Sequence, residues 1–322
     1  MTADAAVMLG YSPRARIAPL SGWSSMTVTM RSMIMDASVA STSKLSFDSG
    51  AAVARNRTFV VAALIALAPI ALAAADLPAR RLQTAFLGSA LTVTITTDSL
   101  VIVLMPVLAC AGADWLLRAH PEVRAGEIPF LFPFWIAPAF TALTLSVILT
   151  RIPNWPLWVV TLALGTVLMV VILAAEYIGM APGAKGYALS RLALTAVTYA
   201  IAFGLFTLVY SARERSIVSA TLTFVIAAGL ALDLLAPHII GLRSAGAFAL
   251  VTGLVCAQAT WALNYWNVSN WSAGVLLLAL FYVLVGLAQQ HVQDHISLVI
   301  LVEFAVVLAV ALFAAWQLAP VR

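Results

Sequence analysis

Thirteen acidic residues are spread over a 322-residue chain that is 63% hydrophobic and only 9% charged. Those inside apolar runs are where chemistry could sit. Asp98, Asp233 and Glu303 each lie in such a run with no basic residue three or four positions away. An ionised side chain at the centre of a membrane helix costs roughly 2.5–3.5 kcal/mol on insertion scales, which makes each a functional candidate. If their faces converge, three carboxylates in a bundle interior would suit proton or cation handling. Scattered hydrogen bonds between helices are the plainer account.

Two more acids have a geometric partner. Asp114 precedes Arg118 by four residues, the favourable order for an ion pair along a helix, beside Trp115, His120 and Pro121. Glu176 ends the apolar run that starts at Pro156, and Arg191 opens the next run. An antiparallel helix hairpin centred between Gly183 and Ala184 puts Arg191 opposite Glu176, with Pro182-Gly183 as the turn. Both pairs are expected to be structural. For Glu176 the alternative is a carboxylate facing a headgroup, ion or substrate.

His291 and His295 stand four apart, a spacing that could share a metal on one helical face, and with Asp294 they loosely echo the inverted zinc-protease motif. No third ligand is evident, and a polar connector facing water explains them as well. Gln258 to Trp271 gathers Trp261, Tyr265, Trp266 and Trp271 with Gln258, Asn264, Asn267 and Asn270. That pattern fits an aromatic belt at a membrane surface, or a binding lip for a lipid or sugar headgroup. No GxGxxG, P-loop, GxSxG or HExxH motif occurs. Cys110 and Cys256 sit in apolar runs without CxxC spacing and read as packing residues. No catalytic residue, cofactor or metal site is assigned.

The elements that must position these residues follow from composition. Soluble domains carry about 25% charged residues, so this chain cannot cover itself with a water-facing surface. Runs of about 20 apolar residues are membrane-spanning helices by length, since a helix rises ~1.5 Å per residue against a ~30 Å hydrocarbon core. The alternating ~10-residue segments of a membrane β-barrel are absent. The expected fold is an all-α polytopic transmembrane bundle of about nine spans, eight to ten.

Residues 1–57, rich in Ser, Thr, Ala and Met, read as a disordered polar tail, and 58–318 as the transmembrane domain. Thr58 to Ala75 is the first span. Thr84 to Leu117, about 34 residues, is too long for one span and too short for two. It reads as a short interfacial or re-entrant helix up to about Thr92, then a span from about Thr96; two short discontinuous helices are the alternative. Spans follow over 128–150, 156–177, 189–210, 216–235, 245–265, 272–287 and 296–318.

The formal net charge of +4 comes from basic residues scattered over tails and loops, without the basic stripe that reads nucleic acid. The expected partners are the lipid bilayer and membrane proteins, including further copies of the chain. With nine spans, Lys44, Arg55, Arg57, Arg118, Arg124, Lys185, Arg191 and Arg243 fall on the N-terminal side. Arg80, Arg81, Arg151, Arg213, Arg215 and Arg322 fall opposite, so the positive-inside rule leans to a cytoplasmic N-terminus.

Three stretches carry a family resemblance: Asp114-Trp115-Leu116-Leu117-Arg118 with His120-Pro121, Ala175-Glu176-Tyr177, and Ala262-Leu263-Asn264-Tyr265-Trp266. In that order and at those separations, the chain resembles an uncharacterised family of bacterial multi-pass membrane proteins, a domain of unknown function, over about residues 80–318. The resemblance implies a helical membrane fold and a bacterial cytoplasmic membrane; it implies no activity. Three functions stay open. The scarcity of catalytic motifs and the short loops favour a non-enzymatic membrane component or assembly subunit. The second is a proton- or ion-coupled transporter using Asp98, Asp233 or Glu303. The third is a membrane enzyme acting on a lipid-linked substrate, using Glu176 or the His291/His295 pair with the aromatic lip.

Overall fold

The computed structural model describes residues 54–75, 78–86, 89–126, 128, 130–181, 183, 186–212, 215–236, 241–266, 268–292 and 298–317. Helix α1 (Ala54–Ala75) leads into two strands, β1 (Arg80–Phe86) and β2 (Ser89–Ile95), and then α2 (Thr97–Leu117) and the single turn α3 (Pro121–Arg124). A 3₁₀ turn (Phe132–Trp135) opens α4 (Ile136–Leu149). There follow α5 (Trp155–Gly179), α6 (Tyr187–Ser211), α7 (Ser216–Leu235), α8 (Leu242–Tyr265), α9 (Asn270–Val292) and α10 (Leu298–Gln317). Among the described residues, eight helical stretches are long and apolar enough to cross a membrane: α1, α2, the 3₁₀ turn with α4, and α5 to α9. The 20-residue α10 adds a further apolar helix. The chain is an all-α polytopic bundle carrying one small hairpin.

That hairpin corrects the expected re-entrant helix. The described residues of that stretch are strands: Arg80–Phe86 and Ser89–Ile95 pair antiparallel, Leu82 opposite Val93 and Gln83 opposite Thr92. Leu91-Thr92-Val93-Thr94-Ile95-Thr96 alternates apolar and polar with β-branched residues at nearly every place, a strand pattern that propensity favours over helix. The span behind it starts where Thr96 caps α2, its side chain taking the Ser99 N–H while Ser99 Oγ returns a bond to the Thr96 backbone. At the front of the domain, α1 starts at Ala54, ahead of the expected Thr58. The tail before it lies outside the described residues.

The helices bury two main apolar cores. In one, Val61 and Ile65 of α1 meet Met105 and Ala109 of α2, Leu145 of α4 and Met169 of α5. Gly112 is what lets α1 approach, because a Cβ there would overlap Val61. The other core joins α6, α7, α8 and α9 around Phe206, Leu230, Cys256 and Phe281. A smaller cluster of Ala137, Ile172, Ala175 and Leu194 links α4, α5 and α6.

Alternating helix directions give the bundle two ends, which side-chain contacts identify. At the first, Arg57 near the start of α1 donates to the Trp115 carbonyl at the end of α2. Gln289 near the end of α9 donates to the Leu234 carbonyl at the end of α7. At the opposite end, Tyr210 of α6 donates to the Leu263 and Trp266 carbonyls, and Asn264 of α8 donates to Ser219 of α7. The hairpin belongs to this second end, between the end of α1 and the start of α2.

Candidate functional site: a buried acid pair

Glu176 sits in the last turn of α5 on the same stripe as Leu162, Gly165, Met169, Ile172 and Leu173, all buried. The spacing of three and four residues is that of a core-facing helix stripe, so the backbone drives the carboxylate inward. The residue is 2% exposed. Neither carboxylate oxygen accepts a hydrogen bond from any described residue.

Asp233 reaches the same place from the last turn of α7. It continues a buried stripe of Ser219, Thr223, Ile226 and Leu230 and is 9% exposed. Its Oδ2 accepts a hydrogen bond from Thr198 Oγ1 of α6 at 2.9 Å. Among the described residues, Asp233 and Arg191 are charged groups whose fields reach Glu176, and Arg191 acts on Asp233 as well. Two acids and one guanidinium therefore share one region where α5, α6 and α7 meet. With all three ionised the group carries excess negative charge, which an apolar surrounding does not tolerate. Such a cluster can accept a proton or a monovalent cation. Among the described residues no three His, Cys, Asp or Glu side chains gather to hold a metal ion.

The structure rearranges the expected site residues. The Glu176–Arg191 clasp does not close: Arg191 makes no ion pair with Glu176. Its side chain instead lies over Gly179, where a Cβ would stand 3.3 Å from Arg191 Cδ. Gly179 is one turn beyond Glu176 on α5. Asp114 and Arg118 are joined by a hydrogen bond from Arg118 Nε to Asp114 Oδ2 at the exposed end of α2. Asp98, Asp233 and Glu303 do not converge. Asp98 is exposed in the first turn of α2, at the opposite end from Asp233, where an acid favours the helix dipole. Glu303 is exposed on α10. His295 lies outside the described residues.

The aromatic lip is also at the end away from Glu176, since Trp261, Tyr265, Trp266 and Trp271 surround the α8–α9 connection. Glu176 and the lip share no cleft. What sequence reasoning missed is Thr198 and the partnership of Glu176 with Asp233. Each residue stands on a helical stripe of otherwise buried positions, but only the packing of α5, α6 and α7 brings the three stripes together.

Helices of membrane-spanning length, a buried acid pair near one end and the short connections define a multi-pass integral membrane protein. Within that class the chain belongs to the family described as "Protein of unknown function (DUF5656)", whose model matches residues 77–317. No curated protein and no solved structure matches the chain.

Proposed function

We propose that the protein is a proton- or cation-coupled membrane transporter whose Glu176–Asp233 pair binds and releases the coupling ion. One observation carries this reading: a fully buried carboxylate without a hydrogen bond, in the field of a second buried acid. An acid kept only to hold a fold is normally hydrogen-bonded, because an unsatisfied buried polar group costs about 1–3 kcal/mol. A residue retained at that cost inside a membrane helix is best explained by work it does in its charged and neutral forms. Thr198 and Arg191 then position the pair, one by a donated hydrogen bond, the other by its field.

Orientation follows from charge. Arg55, Arg57, Arg118, Arg124, Arg191 and Arg243 belong to the end of the bundle that holds the acid pair. By the positive-inside rule we assign that end, and the N-terminus, to the cytoplasm and the protein to the cell membrane. The test is proton flux into proteoliposomes, read by an entrapped pH dye under an imposed gradient. Glu176→Gln and Asp233→Asn are expected to reconstitute like the parent and to lose the flux. Parental flux in Glu176→Gln would end this reading.

A second reading, a non-enzymatic membrane component or assembly subunit, has its own support. A groove of about 500 Å³, lined by Phe132, Trp135, Phe140, Leu232 and other apolar residues, has no ionisable acid or base in its wall apart from Cys110. A groove lined this way offers a charged solute no partner. Absence of flux in the parent protein would favour it.

A further inference from the structure

The apolar groove between α2, α4, α7 and α8 has a volume of about 500 Å³, within the ~300–1,000 Å³ range of small-molecule sites. Small residues shape it, since Ala139, Ala228, Gly229, Gly246 and Ala249 all belong to its wall. Gly229 lets α4 in close: a Cβ there would stand 2.6 Å from a ring carbon of Phe140. Gly246 does the reverse. A Cβ on it would meet nothing within 4 Å, so the side chain it lacks leaves open space. Among the described residues α2 packs on α4, α4 on α7 and α7 on α8, whereas α2 and α8 make no extensive contact. The row of helices stays open between its outer members.

Depth and charge say what fills it. On α7 the wall runs from Val225 to Leu232, ~10 Å of helix just short of the end at Leu235. On α8 it takes in Gly246, Ala249 and Leu250, just inside the start at Leu242. The groove therefore covers most of the ~15 Å hydrocarbon depth of one leaflet. Its rim residues Val225 and Leu250 are 54% and 55% exposed, as are their neighbours Leu222 and Leu254 at 46% and 53%. The groove is thus continuous with the surface that these spans present to lipid, and its apolar wall suits an acyl chain. A headgroup partner lies at its end. Arg243, one turn before Gly246 on α8, is exposed and makes no ion pair with a described residue. Spacings of three and seven put Arg243, Gly246 and Leu250 on one helix face, so the cation stands where the phosphate of a lipid seated in the groove would lie. Exposed Phe130 and Phe132, at the entry to α4, mark the same headgroup level.

We propose that this groove is a binding site for one anionic phospholipid, an acyl chain seated between α4, α7 and α8 and the phosphate on Arg243. The site does not rest on ion coupling by the acid pair. It is tested on the full chain in detergent by native mass spectrometry, titrating dioleoylphosphatidylglycerol or dioleoylphosphatidylcholine and counting the lipids each chain retains. The parent is expected to retain one phosphatidylglycerol at about five-fold lower lipid concentration than phosphatidylcholine, the share of one surface arginine. Filling the groove from either wall, by Gly246→Leu on α8 or Ala139→Leu on α4, should remove the tight adduct of both lipids. Melting temperatures show which variants keep the fold, and either filling variant alone decides the matter. Arg243→Gln should bring phosphatidylglycerol to the level of phosphatidylcholine and leave the latter unchanged. Parental lipid binding in a folded filling variant would place the lipid elsewhere and overturn the proposal. An undiminished preference for phosphatidylglycerol in Arg243→Gln would overturn the headgroup contact. A parent that retains no lipid, as a monomer or as a dimer closed over this face, would overturn the site outright.

Discussion

Thr198 Oγ1 of α6 donates to Asp233 Oδ2 of α7 at 2.9 Å, and both residues are buried. This bond ties the middle of one span to the end of the next at the point where Glu176 arrives from α5. A hydrogen bond to a charged group is worth about 1.5–3 kcal/mol, and its loss here leaves a buried acceptor short of a donor. Thr198→Val is therefore expected to lower the melting temperature of the purified protein in detergent. Thr198→Ser, which keeps the hydroxyl, should recover most of the loss. Equal melting of all three proteins would show that the bond does not hold α6 to α7.

Glu176 predicts the opposite sign. Its oxygens make no hydrogen bond, so replacing the carboxylate removes a cost without breaking a bond. Glu176→Met, close in length and apolar, should stabilise the fold by about 1–3 kcal/mol, a rise of several degrees for a chain of this size. A melting temperature that falls instead would mean that Glu176 holds the three helices together.

The contrast between these two acids also marks how far the sequence reaches. The spans were legible because runs almost free of charge have one physical explanation at this length. The hairpin was not, because hydropathy averaged over a helix-length window hides the two-residue alternation in Leu91 to Thr96. A helix hairpin gives a register only between neighbours in sequence, and that register sets Glu176 opposite Arg191. The nearness of Glu176 to Asp233 depends on how α5 and α7 are each set against α6, and helices apolar on all sides leave no polar face to say which side turns inward. For the same reason Asp98, Asp233 and Glu303 look alike in sequence, and only the fold separates them, with Asp98 and Glu303 exposed.

His120 supplies a pH dependence outside the spans. Its Nδ1 accepts the Glu122 N–H at 3.3 Å, and its ring stands edge-on to Tyr177 with centroids 4.7 Å apart. Burial holds the imidazole below the usual value of 6.5. The unfolded chain therefore binds this proton more readily than the folded one. The sign follows: above 6.5 both states are neutral and nothing is lost, whereas stability falls as pH drops below the unfolded value toward the folded one. As pH falls below about 6.5 this site lowers the melting temperature, so the parent should lose more stability over that fall than His120→Gln. An unchanged slope in the variant would assign the pH dependence to other groups.

Gly253 and Gly246 lie two turns apart on α8 and should respond to alanine with opposite signs. A Cβ at Gly253 would stand 2.8 Å from both the Phe224 carbonyl oxygen and Ala228 Cβ of α7, and backbone cannot move aside as a flexible side chain can. The two helices would have to separate along the contact that also buries Ala245, Ala249 and Cys256, at a cost of about 1–3 kcal/mol for overpacking. At Gly246 a Cβ meets nothing within 4 Å, so alanine there only removes backbone freedom from the unfolded chain and gains about 0.5–1 kcal/mol. Thermal unfolding of the two variants in the same detergent decides the matter. A loss at Gly253 with a small gain at Gly246 is the expected pair, and similar behaviour of both would contradict the close α7–α8 contact.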